Sequence, residues 1–233
     1  PILDAGAAAL GRALSVNTSL RTLAVPFTGL GDEACAALAH ALHRAPLDSE
    51  SCGLASLDLA GNRLTAAGIA ELAAAIPHSA LVSLTLSANS QVGATGVAAL
   101  AAALPTARTL RSLRLDGCCV GPSPCGRLAA ALAKSSVATL DLSANEIGDL
   151  GAAELAWRLP ECVHMRKLHL ACNEIEEDGA AELLAALINS PHLQSLDVRG
   201  NRIADTTTLA DTKRANVAFQ RLPLARREPV CNA

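Results

Sequence analysis

Aliphatic residues recur along this chain in one order, L-x-x-L-x-L-x-x-N-x-L, with polar or small residues between them. The order reads Leu20-Leu23-Val25-Thr28-Leu30, then Leu54-Leu57-Leu59-Asn62-Leu64, then Leu81-Leu84-Leu86-Asn89 with the last aliphatic displaced one place to Val92. It continues as Leu110-Leu113-Leu115-Cys118-Val120, Val137-Leu140-Leu142-Asn145-Ile147, Met165-Leu168-Leu170-Asn173-Ile175 and Leu193-Leu196-Val198-Asn201-Ile203. First positions are separated by 34, 27, 29, 27, 28 and 28 residues, so the period is about 28 with a polar insertion near residues 46–53. In each Leu-x-Leu the two leucines share one face of a strand and the residue between them faces the other way. The pattern predicts one short strand per period.

The second half of each period has a different spacing. A small residue stands four places after the last aliphatic, and apolar residues stand eight and twelve places after it: Gly68, Leu72 and Ile76; Gly96, Leu100 and Leu104; Gly151, Leu155 and Leu159; Gly179, Leu183 and Leu187. Steps of four with alanine between them predict an amphipathic helix. The opening residues, Ile2 to Gly6 with Leu10 and Leu14, match this helical half alone, so the chain is expected to begin inside an eighth repeat. After Ile203 the pattern decays. Residues 204–216 read as a degenerate last helix, and residues 217–233 as a tail, or as a cap in which Val217, Phe219, Leu222 and Leu224 cover the last coil. The domain is therefore drawn over residues 1–216, with the tail or cap following it.

These seven copies resemble the leucine-rich repeat family, in its long-repeat, ribonuclease-inhibitor-like class, over about residues 2–205. The resemblance implies an α/β right-handed solenoid, a horseshoe arc with a concave parallel β-sheet and convex α-helices. Spacing supports the curvature: strands stack about 4.8 Å apart while packed helices need about 8–10 Å. The resemblance also implies a structural ladder at Asn62, Asn89, Cys118, Asn145, Asn173 and Asn201, in which each side chain bonds backbone of its own turn and of the next coil. Cysteine donates weakly to the same carbonyls, so Cys118 reads as structural.

Composition narrows the function classes. Of 233 residues, 51% are hydrophobic and 1% aromatic, so the core is aliphatic; the formal net charge of −3 gives no basic footprint for nucleic acid. No apolar run is long enough to span a bilayer. Eight cysteines, several at equivalent repeat positions, read as small buried side chains in a reducing, intracellular and cytoplasmic setting, against which the Asn17-Thr18-Ser19 sequon is one secretory hint.

No phosphate loop, dinucleotide fingerprint, zinc-protease helix or nucleophile elbow is present, so no catalytic residue and no cofactor is expected. Cys162, His164, His169 and Cys172 fall within eleven residues, but their repeat positions point them apart rather than around a metal. Asp32-Glu33, Asp149 and Glu176-Glu177-Asp178 stand where helices begin, where carboxylates complement the helix dipole and cap free amides.

Three rows face outward from the predicted strands. They run Thr22, Ser56, Ser83, Ser112, Thr139, Lys167, Ser195; then Ala24, Asp58, Thr85, Arg114, Asp141, His169, Asp197; then Pro26, Ala60, Ser87, Asp116, Ser143, Ala171, Arg199. Arg114, Asp141, His169 and Asp197 form a ladder of opposed charges that either satisfies itself or reads a charged partner. Trp157, ten places after Ile147, takes a convex helical position as an anchor for a partner or as packing across the neighbouring helix. The candidate partner-binding residues are Asp58, Arg114, Asp116, Asp141, Trp157, Lys167, His169, Asp197 and Arg199. The expected function is a non-enzymatic protein-protein interaction scaffold, with a protein as partner rather than nucleic acid, membrane or small molecule. The family resemblance adds two alternatives, a regulator of the Ran-activating type and the sensor repeats of a larger nucleotide-binding receptor.

Overall fold

The computed structural model describes residues 3–43 and 53–203. Each Leu-x-Leu forms a three-residue strand: β1 Thr22–Ala24, β2 Ser56–Asp58, β3 Ser83–Thr85, β4 Ser112–Arg114, β5 Thr139–Asp141, β6 Lys167–His169 and β7 Ser195–Asp197. Helices α1 Leu3–Leu14, α2 Asp32–His43, α3 Ala66–Ala75, α4 Gly93–Ala103, α5 Cys125–Leu132, α6 Gly148–Arg158 and α7 Glu177–Ile188 alternate with them. Coil 1 starts at β1 and coil 7 at β7.

The strands make one parallel sheet in chain order, β1 to β7. Its register pairs the three rows of the repeat without slippage: Leu23, Leu57, Leu84, Leu113, Leu140, Leu168 and Leu196 lie side by side, as do Arg114, Asp141, His169 and Asp197. The leucine row points into a continuous aliphatic core shared with the helices; Leu57, Leu84, Leu113 and Leu140 are fully enclosed. This is an α/β leucine-rich-repeat solenoid.

Asparagines hold the turns after the strands. Buried Asn145 donates Nδ2–H to the carbonyls of Leu115 and Leu142, at 2.8 and 2.9 Å, and its Oδ1 accepts the amides of Cys118 and Val120. Asn62, Asn89, Asn173 and Asn201 repeat this bridging, and in each case the partner is the coil before rather than the next coil, which corrects the expected direction of the ladder. At Cys118 the thiol donates to the Leu86 carbonyl at 3.2 Å, but sulfur supplies no carboxamide oxygen for the amides of the coil before it. There the turn is one residue longer, and the Val92 amide donates instead to the Asn89 carbonyl, 3.0 Å away. The displaced aliphatic of coil 3 and the missing asparagine of coil 4 are therefore one structural feature.

Two of the helix-start carboxylates, Asp32 and Asp149, act across coils as well as standing at the start of their own helices. Asp32 Oδ1 and Oδ2 accept from the amide and hydroxyl of Thr65, the N-cap of α3, at 2.8 and 2.6 Å. Asp149 in α6 accepts from the amides of Glu176 and Gly179 at the start of α7. The small residue of the helical half makes room for this approach, since a Cβ on Gly68 or Gly179 would meet those carboxylates. At the first coil, Leu20 is 39% exposed and Leu23 half-buried, unlike their enclosed equivalents in the coils that follow. The expectations for residues 46–52, for residues 204–216 and for the tail or cap lie outside the described residues.

Candidate functional site on the concave face

Parallel register brings the outward rows of β4 to β7 into one charged field. Arg114 stands between two carboxylates: its guanidinium lies 3.3 Å from Asp116 on its own coil and 3.6 Å from Asp141 on the next. Ser87 donates its hydroxyl to the same Asp116 at 2.5 Å, tying coil 3 to coil 4. Further along, Arg199 clamps Asp197 through two N–H groups at 2.6 and 2.8 Å, and His169 Nδ1 lies 3.8 Å from the same carboxylate. The Arg199 side chain, chiefly by hydrogen bonding, holds the Asp197 carboxyl below the ordinary carboxylate range, and the pair raises the Arg199 guanidinium in return.

Local backbone fixes these acids. In coils 2, 5 and 7 the aspartate accepts from the amide two residues on: Asp58 from Ala60 at 2.9 Å, Asp141 from Ser143 at 3.0 Å and Asp197 from Arg199 at 3.1 Å. Such Asx turns set the carboxylate at the strand exit before any partner arrives. Lys167 at the start of β6 is exposed, and half of the Arg114 side-chain surface and 41% of that of Arg199 remain open to solvent. The sheet thus satisfies its acids internally and leaves the outer faces of its cations available.

Trp157 does not join this field. It projects from α6 with 76% of its surface exposed and shares a helix face, seven residues away, with exposed Leu150. Phe27 stands at a positive φ of 53°, 77% exposed, with its ring over Gly61 of the next coil.

Cys162, His164, His169 and Cys172, close in sequence, are dispersed in the fold. Cys162 is buried with its thiol directed to the Arg158 carbonyl at 3.4 Å, His164 is exposed on the strand-entry loop, His169 faces the concave side, and Cys172 sits in the strand-exit turn. Among the described residues no group of three or more His, Cys, Asp or Glu is placed to hold a metal ion. Burial pushes the Cys118 and Cys125 thiols up to about 12 and Cys162 to about 11, so these side chains pack as apolar groups. Among the described residues, no helix is long and apolar enough to cross a membrane.

A sheet of in-register repeat strands backed by helices and pinned by an asparagine ladder defines a solenoid protein. Comparison with known proteins agrees: residues 16–39, 51–73, 134–156, 161–184 and 189–206 match the leucine-rich repeat family. Ribonuclease inhibitor of Sus scrofa is 33% identical over 156 residues, which cover 66% of this chain and 33% of that protein. The chain thus aligns with about a third of the length of that relative. It belongs to the leucine-rich repeat proteins, in the ribonuclease-inhibitor-like class.

Proposed function

We propose that this chain is a non-enzymatic recognition scaffold that binds a protein partner across the concave face of coils 4 to 7. The observation that carries the reading is the charged field from Arg114 to Arg199, placed by strand register and pre-set by Asx turns. A surface whose charges are already oriented loses little side-chain freedom on binding and selects its partner by electrostatic complementarity. Arg114, Asp116, Asp141, Lys167, His169, Asp197 and Arg199 form the reading surface, Asp58 on coil 2 is an outlying contact on the same row, and Trp157 serves as a separate convex contact. Cys118, Cys119, Cys125 and Cys162 are free thiols, three of them buried, which supports a reducing, intracellular location. The relative's name, ribonuclease inhibitor, describes a protein that acts by binding another protein, which supports the same class of function.

The test is site-directed photocrosslinking in cells, with the crosslinker at Ser112 on the concave row or at Ala102 on α4. Capture of a protein from Ser112 alone, abolished by Arg114→Glu with Asp197→Lys, is expected. Capture from Ala102 alone, or stimulated GTP hydrolysis by a captured GTPase, would replace this reading.

A further inference from the structure

The solenoid carries opposite charge on its two lateral edges. Strand exits and first helical turns hold Asp32, Glu33, Glu146, Asp149, Glu174 and Glu176 among their acids. The strand-entry segments, residues 15–21, 76–82, 104–111, 133–138, 159–166 and 189–194, contain a single described carboxylate, Glu161, and Arg158 pairs with it at 2.9 Å. On this edge stand Arg108, Arg111, Lys134 and Arg166, with Lys167 at the first concave position beside them. None of these five has a carboxylate partner among the described residues.

Cations at helix C-termini complement the dipole, and Lys134, just past α5, is explained in that way. Arg111 and Arg166 are not. They lie at strand entries, where the ladder of amides and carbonyls runs Val82, Arg111, Ala138, Arg166, Gln194. Each guanidinium is anchored through one nitrogen to turn carbonyls, Arg111 to Arg108 and Leu110, and Arg166 to Val163 and Met165 with a longer 3.4 Å contact to His192 of the next coil, which leaves the other nitrogens of both free to donate. Two rungs of a parallel ladder separate them, about 10 Å, with Ala138 between. Three residues of an extended peptide span the same distance. Trp157, in the last turn of α6 beside Arg158, is the one described tryptophan or phenylalanine that borders this edge, and a lone ring does not make a row of stacking platforms for the successive bases of a single-stranded nucleic acid.

We propose that the strand-entry edge of coils 4 to 6 is a second docking surface, for an acidic, extended segment of a protein. Apart from Lys167, which borders both, it is carried by different side chains from the concave field, and the substitutions that test it leave that field intact, so either surface stands if the other fails. The probe is a fluorescently labelled polyglutamate peptide, followed by anisotropy, beside an oligothymidylate of equal charge. The peptide is expected to bind, to weaken as salt screens the edge, and to bind about tenfold more weakly when Arg108→Gln and Lys134→Gln are combined. These two side chains make no hydrogen bond that the fold needs, and the more direct Arg111→Gln with Arg166→Gln is tested beside them. Arg63→Gln on the opposite edge is the control. Absence of peptide binding at low salt, equal weakening by Arg63→Gln, or tighter binding of the oligothymidylate than of the peptide would each overturn the proposal.

Discussion

The carboxylate of Asp149 caps a helix other than its own: its Oδ1 accepts the amides of Glu176 and Gly179, 2.7 and 3.1 Å away, at the start of α7. Gly179 is the residue that permits it, because a Cβ there would lie 2.9 Å from the Asp149 Cα and 3.0 Å from Ile175 Cγ2, besides meeting the carboxylate. The small residue of the repeat is thus a contact condition between consecutive helices. Gly179→Ala is expected to destabilise by about 1–3 kcal/mol, the range for overpacking, and Asp149→Ala by about 1 kcal/mol through the lost cap. Urea unfolding measures both. Gly126→Ala supplies the contrast: its new Cβ meets the flexible end of Glu154, which can swing away, so a smaller loss is expected.

Removing a rung of the asparagine ladder carries a larger penalty. Asn145 is fully buried, donates to three carbonyls and accepts two amides. Asn145→Ala leaves these groups without partners at about 1–3 kcal/mol for each one that stays dry, so a loss of about 3–5 kcal/mol is expected. Cys118→Asn is expected not to stabilise, because the longer turn of coil 3 already satisfies its Val92 amide internally. A gain in the urea midpoint for Cys118→Asn would show that this adaptation is incomplete.

Backbone conformation just before the ladder residue gives a third prediction. That position is left-handed in every coil, at Phe27, Gly61, Ala88, Gly117, Ala144, Cys172 and Gly200. Alanine at φ 56° costs about 1–2 kcal/mol that glycine avoids, offset by about 0.5–1 kcal/mol of glycine entropy. Ala144→Gly is therefore expected to be neutral or stabilising by up to about 1 kcal/mol, and Gly61→Ala destabilising, the more so because the Phe27 ring occupies the Cβ site. Thermal unfolding of the two variants decides the sign.

Coil number, strand positions and the buried leucine rows were legible because each depends on one residue type recurring at a fixed place. The outward rows were legible for the same reason, as their order follows from strand register. Other features were not. Asp32 and Asp149 reach the next helix because of how closely consecutive coils pack, and no spacing within one repeat encodes that. Phe27, Ala88 and Cys172 adopt left-handed backbone without the glycine that would announce it. Arg199 chooses Asp197 on its own coil, a rotamer choice that register leaves open. The longer turn at Val92 and the cysteine at 118 were each visible as an irregularity, yet only the hydrogen bonds join them.

Thiol reactivity should separate neighbours in sequence. Cys118 is enclosed and its thiol is raised to about 12 by burial, whereas Cys119 is exposed on the strand-exit turn. Only the thiolate is nucleophilic. Brief alkylation of the native protein at pH 8, read by mass spectrometry of the peptide containing both, is expected to modify Cys119 and spare Cys118. Equal labelling of the two would mean that coil 4 opens on the timescale of the reaction.

The Asp197–Arg199 clamp links stability to acid pH with a definite sign. The folded-state carboxyl is held below its unfolded value, mainly by the hydrogen bond from Arg199. The contribution is therefore complete above the unfolded aspartate value of about 3.9 and is lost as pH falls through the lower, folded value. Because much of Arg199 is open to solvent, the effect is small, under about 1 kcal/mol. Arg199→Gln is expected to lower stability at pH 7 by that amount and to match the parent chain once Asp197 is protonated in both. Unfolding free energies at pH 7 and at successively lower pH test this, the difference between the two proteins shrinking as Asp197 protonates. The direct check is a carboxyl carbon NMR titration, in which the Asp197 midpoint should rise toward the ordinary value in Arg199→Gln. A midpoint unchanged by the substitution would assign the depression to the Arg199 backbone amide and the His169 ring, and the concave field would then be held by its Asx turns instead of by its arginines.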